Sequence, residues 1–346
     1  VSSGQINRRN APRVPWVNVL GEKQGENVSA REAYENLGPY DVSLRDVFIQ
    51  GEKRIETLPY GASRATTKYS KAPRHQAIVR GPTATDLSEK VFNVVGNKYR
   101  LITPDVIVDL WDKYIGRPVT SIGALDGGER FFLATKLPTV RVPGDKEGID
   151  NTLVLVSPMN GRQAIVGLLV PIRLICTNGM VAMGDIKEAF TLRHYQNNVK
   201  QLPEWLKGVY DRNIANLDRM EQAWNALAKH MITDQEVRDT LDVAFPLPVP
   251  QPDMDMEQRD QHLRQWDSAQ KHRSLTREFF NGRGAGMDNK ANHGTAYGFY
   301  NSFVELIDWG ANAGEGAKMA TVRSAAMGMA YKKKEAVLTH LVGVAN

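Results

Sequence analysis

Between Glu56 and Asp86 the chain carries no acidic residue, and in that window stand Arg64, Lys68, Lys71, Arg74 and Arg80. Tyr60, Tyr69 and His75 are interleaved among them. Cations spaced by aromatic rings suit a single-stranded nucleic acid, because cations follow phosphates and rings stack on bases. Tyr69 is the candidate stacking platform. Five phosphate contacts to a single strand predict a log–log salt slope near about −3.5. The whole chain has 44 Lys and Arg against 39 Asp and Glu, so these five residues equal its entire excess of +5. The plainer reading of the window is a solvated loop rich in Ser, Thr, Ala and Gly. The two readings are compatible, since binding residues often sit on loops. A second basic set, Lys271, Arg273 and Arg277, lies in a polar helical stretch over 257–280 that reads first as a surface helix and second as a phosphate-facing one.

Other chemistries are weakly represented. Gly282–Gly286 lacks the spacing of a dinucleotide loop, and Gly310–Lys318 has no Ser or Thr after the lysine to hold Mg²⁺. The seven histidines form no H-E-x-x-H and no short metal set, so no metal site is expected. Arg193-His194 could polarise a phosphate or carbonyl, though a hydrogen-bonded pair is the simpler reading. The one cysteine, Cys176, ends an apolar run and reads as a small buried hydrophobe rather than a nucleophile. The residues therefore point to a non-enzymatic binding protein with no catalytic residue and no cofactor.

These side chains need a scaffold, and the composition supplies one. With 42% hydrophobic and 24% charged residues the chain is globular rather than disordered. Apolar runs are far shorter than the ~18 residues a membrane span needs. Val1–Asn10 has no apolar core behind Arg8 and Arg9, so it does not read as a secretory signal. A lone cysteine fits a reducing compartment, and the expected location is cytoplasmic.

Residues 1–28 read as an extended arm anchored by Trp16. Residues 29–200 read as a sheet-containing α+β core. Residues 201–346 read as helical, with a Pro-rich connector at 245–253. Ser29 and Glu32 form a capping box for a helix ending at Gly38. Strand signals fall at Val42–Ile49, Gln76–Arg80, Val91–Val95 and Tyr99–Ile102, the last two flanking Gly96-Asn97. Thr103-Pro104 starts a helix to Tyr114. Residues 118–176 predict a β-meander, with turns at Asp126-Gly127-Gly128 and Asn160-Gly161 and a buried strand over Gln163–Cys176 in which Arg173 needs a partner. A helical stripe runs from Leu206 through Tyr210, Ile214, Leu217, Trp224 and Leu227 to Met231. Thr233–Glu236 is a second capping box. Asn281–Gly286 reads as a glycine loop, followed by helices over 294–309 and 315–343, the last with Met319, Val322, Ala326, Met329, Val337 and Leu341 on one face and Lys332–Lys334 near its end. The fold class is α+β: an N-terminal antiparallel or mixed β-meander with a packed helix, then a helical half sharing one core with it.

Several segments in order resemble the phage/plasmid-like protein family of unknown function, found on phages, plasmids and prophages. They are Pro15-Trp16 with Leu20-Gly21, Ala77–Arg80, Val94–Tyr99, Gly123–Arg130 leading to Ala134–Pro138, Pro171–Asn178, Thr191–His194 and Gly294–Asn301. The resemblance brings no activity or catalytic residue. It implies a mobile-element setting in a bacterial host cell, where such genes often accompany replication and recombination functions. With the basic window, this favours a protein that binds or anneals single-stranded DNA (DNA before RNA) as a homo-oligomeric ring or filament. The alternative is a protein–protein interaction or scaffold module, such as an inhibitor of a host system, with no nucleic-acid role.

Overall fold

The computed structural model describes residues 22–57, 59–61, 63–83, 86–145, 148–173, 178–179, 191–194, 200–284, 290–309 and 329–346. In chain order its elements are β1 (Glu22–Lys23), α1 (Ala30–Leu37), β2 (Val42–Thr57), β3 (Ser63–Arg80), β4 (Lys90–Gly96), α2 (Pro104–Tyr114), β5 (Ser121–Leu125), β6 (Arg130–Val140), β7 (Ile149–Pro158), β8 (Ile165–Arg173), β9 (Asn178–Gly179), β10 (Thr191–Leu192), α3 (Leu202–Lys229), α4 (Asp234–Ala244), α5 (Met256–Glu278), a π-helical turn (Phe279–Arg283), a short 3-10 turn (Lys290–Asn292), α6 (Ala296–Trp309) and α7 (Met329–Ala345).

Two antiparallel sheets result. One runs β1-β5-β6-β7-β8-β10, with β9 also on β8; the other is β2-β3-β4. Tight turns set the meander's register. At the β5–β6 turn Asp126, Gly127 and Gly128 all have positive φ (57°, 72° and 97°), a conformation that favours Asp and Gly over larger side chains. Phe131, Leu133, Leu153, Leu155, Ile165 and Leu169 alternate along β6–β8 and enter the main core. α3 lies over this face: a Cβ on Gly167 would meet Val209 Cγ1 at 2.5 Å, so the glycine lets the helix approach.

Local chemistry fixes the helices. Ser29 Oγ accepts the Glu32 N–H at 3.1 Å, and Gly38 ends α1 at φ 87°. Asp112 of α2 accepts the Ala30 and Arg31 N–H groups at 2.8 and 2.9 Å, while Arg31 pairs with Asp105 and Asp109. Helix α2 thereby caps α1. Capping boxes open α4 at Thr233/Glu236 and α5 at Asp255/Gln258. The stretch Gly294–Asn301 is a packing joint. Thr295 Oγ1 accepts the Gly298 N–H at 3.0 Å, and a Cβ at Gly298 would lie 1.8 Å from the Asn292 carbonyl oxygen. Tyr297 and Tyr300 pack on Trp224 with ring centroids 6.1 and 5.6 Å away. One buried cluster joins Phe131 and Leu155 of the sheet to Leu206, Trp224, Phe303 and Leu341 of the helices, so both halves share a core. The fold class is α+β.

Several expectations are corrected. The window after Glu56 is not a loop: 63–80 is one strand paired along its length with β2. Its Thr66, Thr67 and Tyr69 favour extended backbone. From Arg64 to Lys71 no residue is buried, so no apolar alternation marks that stretch. Tyr99–Ile102 forms no extended strand; the chain turns after Gly96 and leads into α2. Met231 closes the α3 stripe in sequence but is 64% exposed, because α3 ends at Lys229. The glycine loop at 281–286 begins inside the π-helical turn, where Gly282 takes φ 113°. Outside these corrections, residues 22–28, the described end of the arm, join the sheet edge through β1 and a Val119 N–H to Val28 carbonyl bond of 2.8 Å. Trp16, Cys176, Met319, Val322 and Ala326 and the side chains of Arg173 and Met329 lie outside the described residues.

Candidate nucleic-acid interface

The basic window forms the second strand of a long hairpin. β4 covers β3 only from His75 to Arg80. Beyond that base, Phe48–Thr57 and Ser63–Lys71 pair only with each other. Ten residues at the usual strand rise give an arm of roughly 30 Å. The side chains of Phe48, Ile49, Ile55, Tyr60 and Tyr69 are 57 to 105% exposed.

Two irregularities shape this arm. Near the base, Ala72–His75 stand opposite Val47 alone, and Pro73, with no N–H to give, sits among them. Further out, Gly51 and Glu52 stand opposite Lys68 as a β-bulge. A Cβ on Gly51 would come within 3.0 Å of the Lys68 carbonyl oxygen, which accounts for glycine there.

Alternation and register divide the basic residues between two faces. Tyr69 and Lys71 share a face with Phe48, Gln50 and Lys53; Arg64 and Lys68 lie on the other. Arg64, Lys68 and Arg74 are exposed, with no carboxylate partner among the described residues. Lys71 is paired to Asp46 at 2.6 Å, so part of its charge is already answered.

Arg80 is a different kind of residue. It is 4% exposed and donates to Asp86 at 2.5 Å and to the Ser88 carbonyl at 3.1 Å. Bonds from Ser88 and Arg80 hold the Asp86 carboxyl down at about 2. Arg80 thus ties the hairpin base to the segment before β4 and is not presented to a ligand. The set of five reduces to three cations with no carboxylate partner among the described residues and one paired cation. Sequence reasoning missed Lys53, which lies on β2 among acidic neighbours and is exposed opposite Thr67.

The second basic set divides in the same way. Lys271 and Arg277 are exposed on α5. Arg273 is bonded to Asp242 at 2.5 Å and to the Phe245 carbonyl at 3.3 Å, and the neighbouring His272 ring stacks on Phe245 at 5.1 Å. Arg273 therefore fastens α5 to the end of α4. Among the described residues no group of three His, Cys, Asp or Glu is placed to hold a metal ion, and no helix is long and apolar enough to cross a membrane.

These features define an α+β protein with a long solvated β-hairpin at one edge of its smaller sheet. The chain belongs to the family described as a domain of unknown function (DUF932), whose model matches residues 91–337. No curated protein and no solved structure matches it. The matched span begins after the hairpin and includes β4, the meander and most of the helical half.

Proposed function

We propose that this protein binds single-stranded nucleic acid, DNA in particular, along the hairpin arm, and that it serves strand annealing in the recombination or replication of a mobile element. The observation that carries the reading is the trio Arg64, Lys68 and Arg74, exposed and without a carboxylate partner among the described residues, on the strand that also presents Tyr69 at 60% exposure. A two-stranded ribbon is one strand spacing wide, about 4.8 Å, so a polynucleotide along the β3 edge meets cations from both faces. Phosphates answer the cations and a base stacks on Tyr69. Assembly into a ring or filament belongs to the same proposal. A gel shift with single-stranded and duplex oligonucleotides over a salt titration tests it. Salt-sensitive preference for the single strand supports the reading, and no binding at low salt overturns it.

A second reading is a protein–protein module. The exposed Phe48, Ile49 and Ile55 favour it, since apolar side chains on a free hairpin can dock on a partner surface. Under that reading the hairpin cations tune encounter with an acidic partner, and the gel shift shows nothing.

A further inference from the structure

At the base of the hairpin three separate segments border a half-open cleft of about 710 Å³. Lys98 comes from the turn after β4, Arg162 from the β7–β8 turn and Arg193 from the residues after β10. The other lining groups include the Asn93 and Gln163 amides and Thr191, and no carboxylate is among the described lining residues. None of the three cations has a carboxylate partner among the described residues. Their neighbours in the fold differ: Arg45 pairs with Glu89 at 2.7 Å, Lys90 with Glu129 at 3.5 Å and Arg130 with Asp126 at 3.4 Å.

The walls are locked together by groups that bear no net charge. Asn93 Nδ2 donates to the Asn160 carbonyl at 2.8 Å, tying β4 to the β7–β8 turn. The Arg162 N–H donates to Asn160 Oδ1 at 3.1 Å and fixes that turn. Gly161 has φ 71°, and a Cβ there would meet Val95 Cγ1 at 2.4 Å, so only glycine lets the turn lie this close to β4. The Arg100 N–H donates to the His194 carbonyl at 3.0 Å. Beneath the cations the Tyr99 and His194 rings stack at 5.2 Å and 21°. Both are more than nine-tenths buried, and among the described residues His194 Nε2 and Tyr99 Oη have no hydrogen bond of ordinary geometry. Three cations without a carboxylate partner among the described residues, set around a cleft of small-molecule size, form an anion site.

We propose that this cleft binds a phosphoryl group carrying two negative charges, on the end of a nucleic-acid strand or on a free nucleotide. Three cations with no opposing carboxylate among the described residues suit a dianion, and arginines hold phosphate oxygens through paired N–H donors. The amides of Asn93 and Gln163 and the apolar wall of Val94 give the rest of a nucleotide polar and apolar contacts. The site is distinct from the hairpin trio and does not depend on that trio binding DNA.

Calorimetric titration of the full chain with inorganic pyrophosphate at low salt is the test. Saturable one-to-one binding is expected, weakened at least tenfold in the Arg162→Ala/Arg193→Ala double variant. Both side chains are exposed, so the variant keeps its fold, and an unchanged thermal melt checks this. The Arg64→Ala/Lys68→Ala/Arg74→Ala variant keeps pyrophosphate affinity, which separates the cleft from the hairpin whether or not the hairpin binds DNA. Two further probes name the source. Tighter binding of a 5′-phosphorylated oligonucleotide than of its 5′-hydroxyl form, lost in the double variant, assigns a strand end. Arginine-dependent binding of a nucleoside monophosphate without that difference assigns a free nucleotide. Either result supports the cleft. No pyrophosphate binding at millimolar concentration, or equal affinity in the double variant, overturns it.

Discussion

Replacing Arg64, Lys68 and Arg74 together by Ala is the sharpest perturbation of the hairpin, because these cations are exposed and have no carboxylate partner among the described residues. Each phosphate neutralised on a single strand contributes about 0.7 to the log–log salt slope, so three account for about 2 units. Taking about 1 M salt as the point where the counterion contribution vanishes, the same slope gives a loss of about 500-fold at 50 mM and about 30-fold at 200 mM. The loss is the same for every base composition, since phosphates carry no sequence. Fluorescence anisotropy with a labelled oligonucleotide across a salt series measures both quantities at once. Exposure of all three side chains means the melting curve stays put. A slope within about half a unit of the wild type, with folding intact, refutes the assignment of phosphates to this strand.

The other expectations are narrower. Tyr69→Ala weakens single-strand binding by roughly 1–3 kcal/mol, with no change in salt slope, if the ring stacks on a base; equilibrium titration at fixed salt reads it. Arg80→Ala lowers the melting temperature and leaves the salt slope alone, since the residue serves Asp86 and Ser88; a slope change would return it to the binding set. Gly161→Ala costs about 1–3 kcal/mol in chemical denaturation, from the contact with Val95 and the positive φ. His194 is held below its ordinary value, first by burial, with the Arg100 and Pro158 carbonyls opposing. Its folded form stays neutral where the unfolded one takes a proton, so its contribution to stability is present above pH 6.5 and falls as the pH drops below it. His194→Gln flattens that part of the melting-temperature profile, and a parallel profile would contradict the assignment.

The sequence was legible wherever a residue's neighbours in the chain are also its neighbours in space. The Thr233/Glu236 box, the Asp126–Gly128 turn and the alternating meander are all local signals, and each stands where it was expected. The hairpin was legible only at Val42–Ile49 and Gln76–Arg80. Apolar alternation reports which face is buried, and none of Arg64–Ser70 is buried. The site suffered from a different blindness. Arg80 and Arg64 are the same letter in the same acid-free window, yet one reaches Asp86 and the other has no carboxylate partner among the described residues. Arg273 is answered by Asp242, 31 positions away. The cleft draws its cations from positions 98, 162 and 193, and only Arg193-His194 stood out in the chain.

The stagger at Ala72–His75 also divides the hairpin mechanically. On the body side each β3 residue is held by β2 and β4 together; on the far side it is held by β2 alone. Isolated two-stranded ribbons are marginal in water, so the free end behaves as a cantilever clamped at Pro73. Amide protection against hydrogen exchange should therefore fall in a single step there rather than fade toward the tip. A polymer lying across the ribbon must quiet that motion, and the ordering entropy subtracts from its affinity. The cleft lies on the clamped side of the step, where a ligand meets walls already at rest.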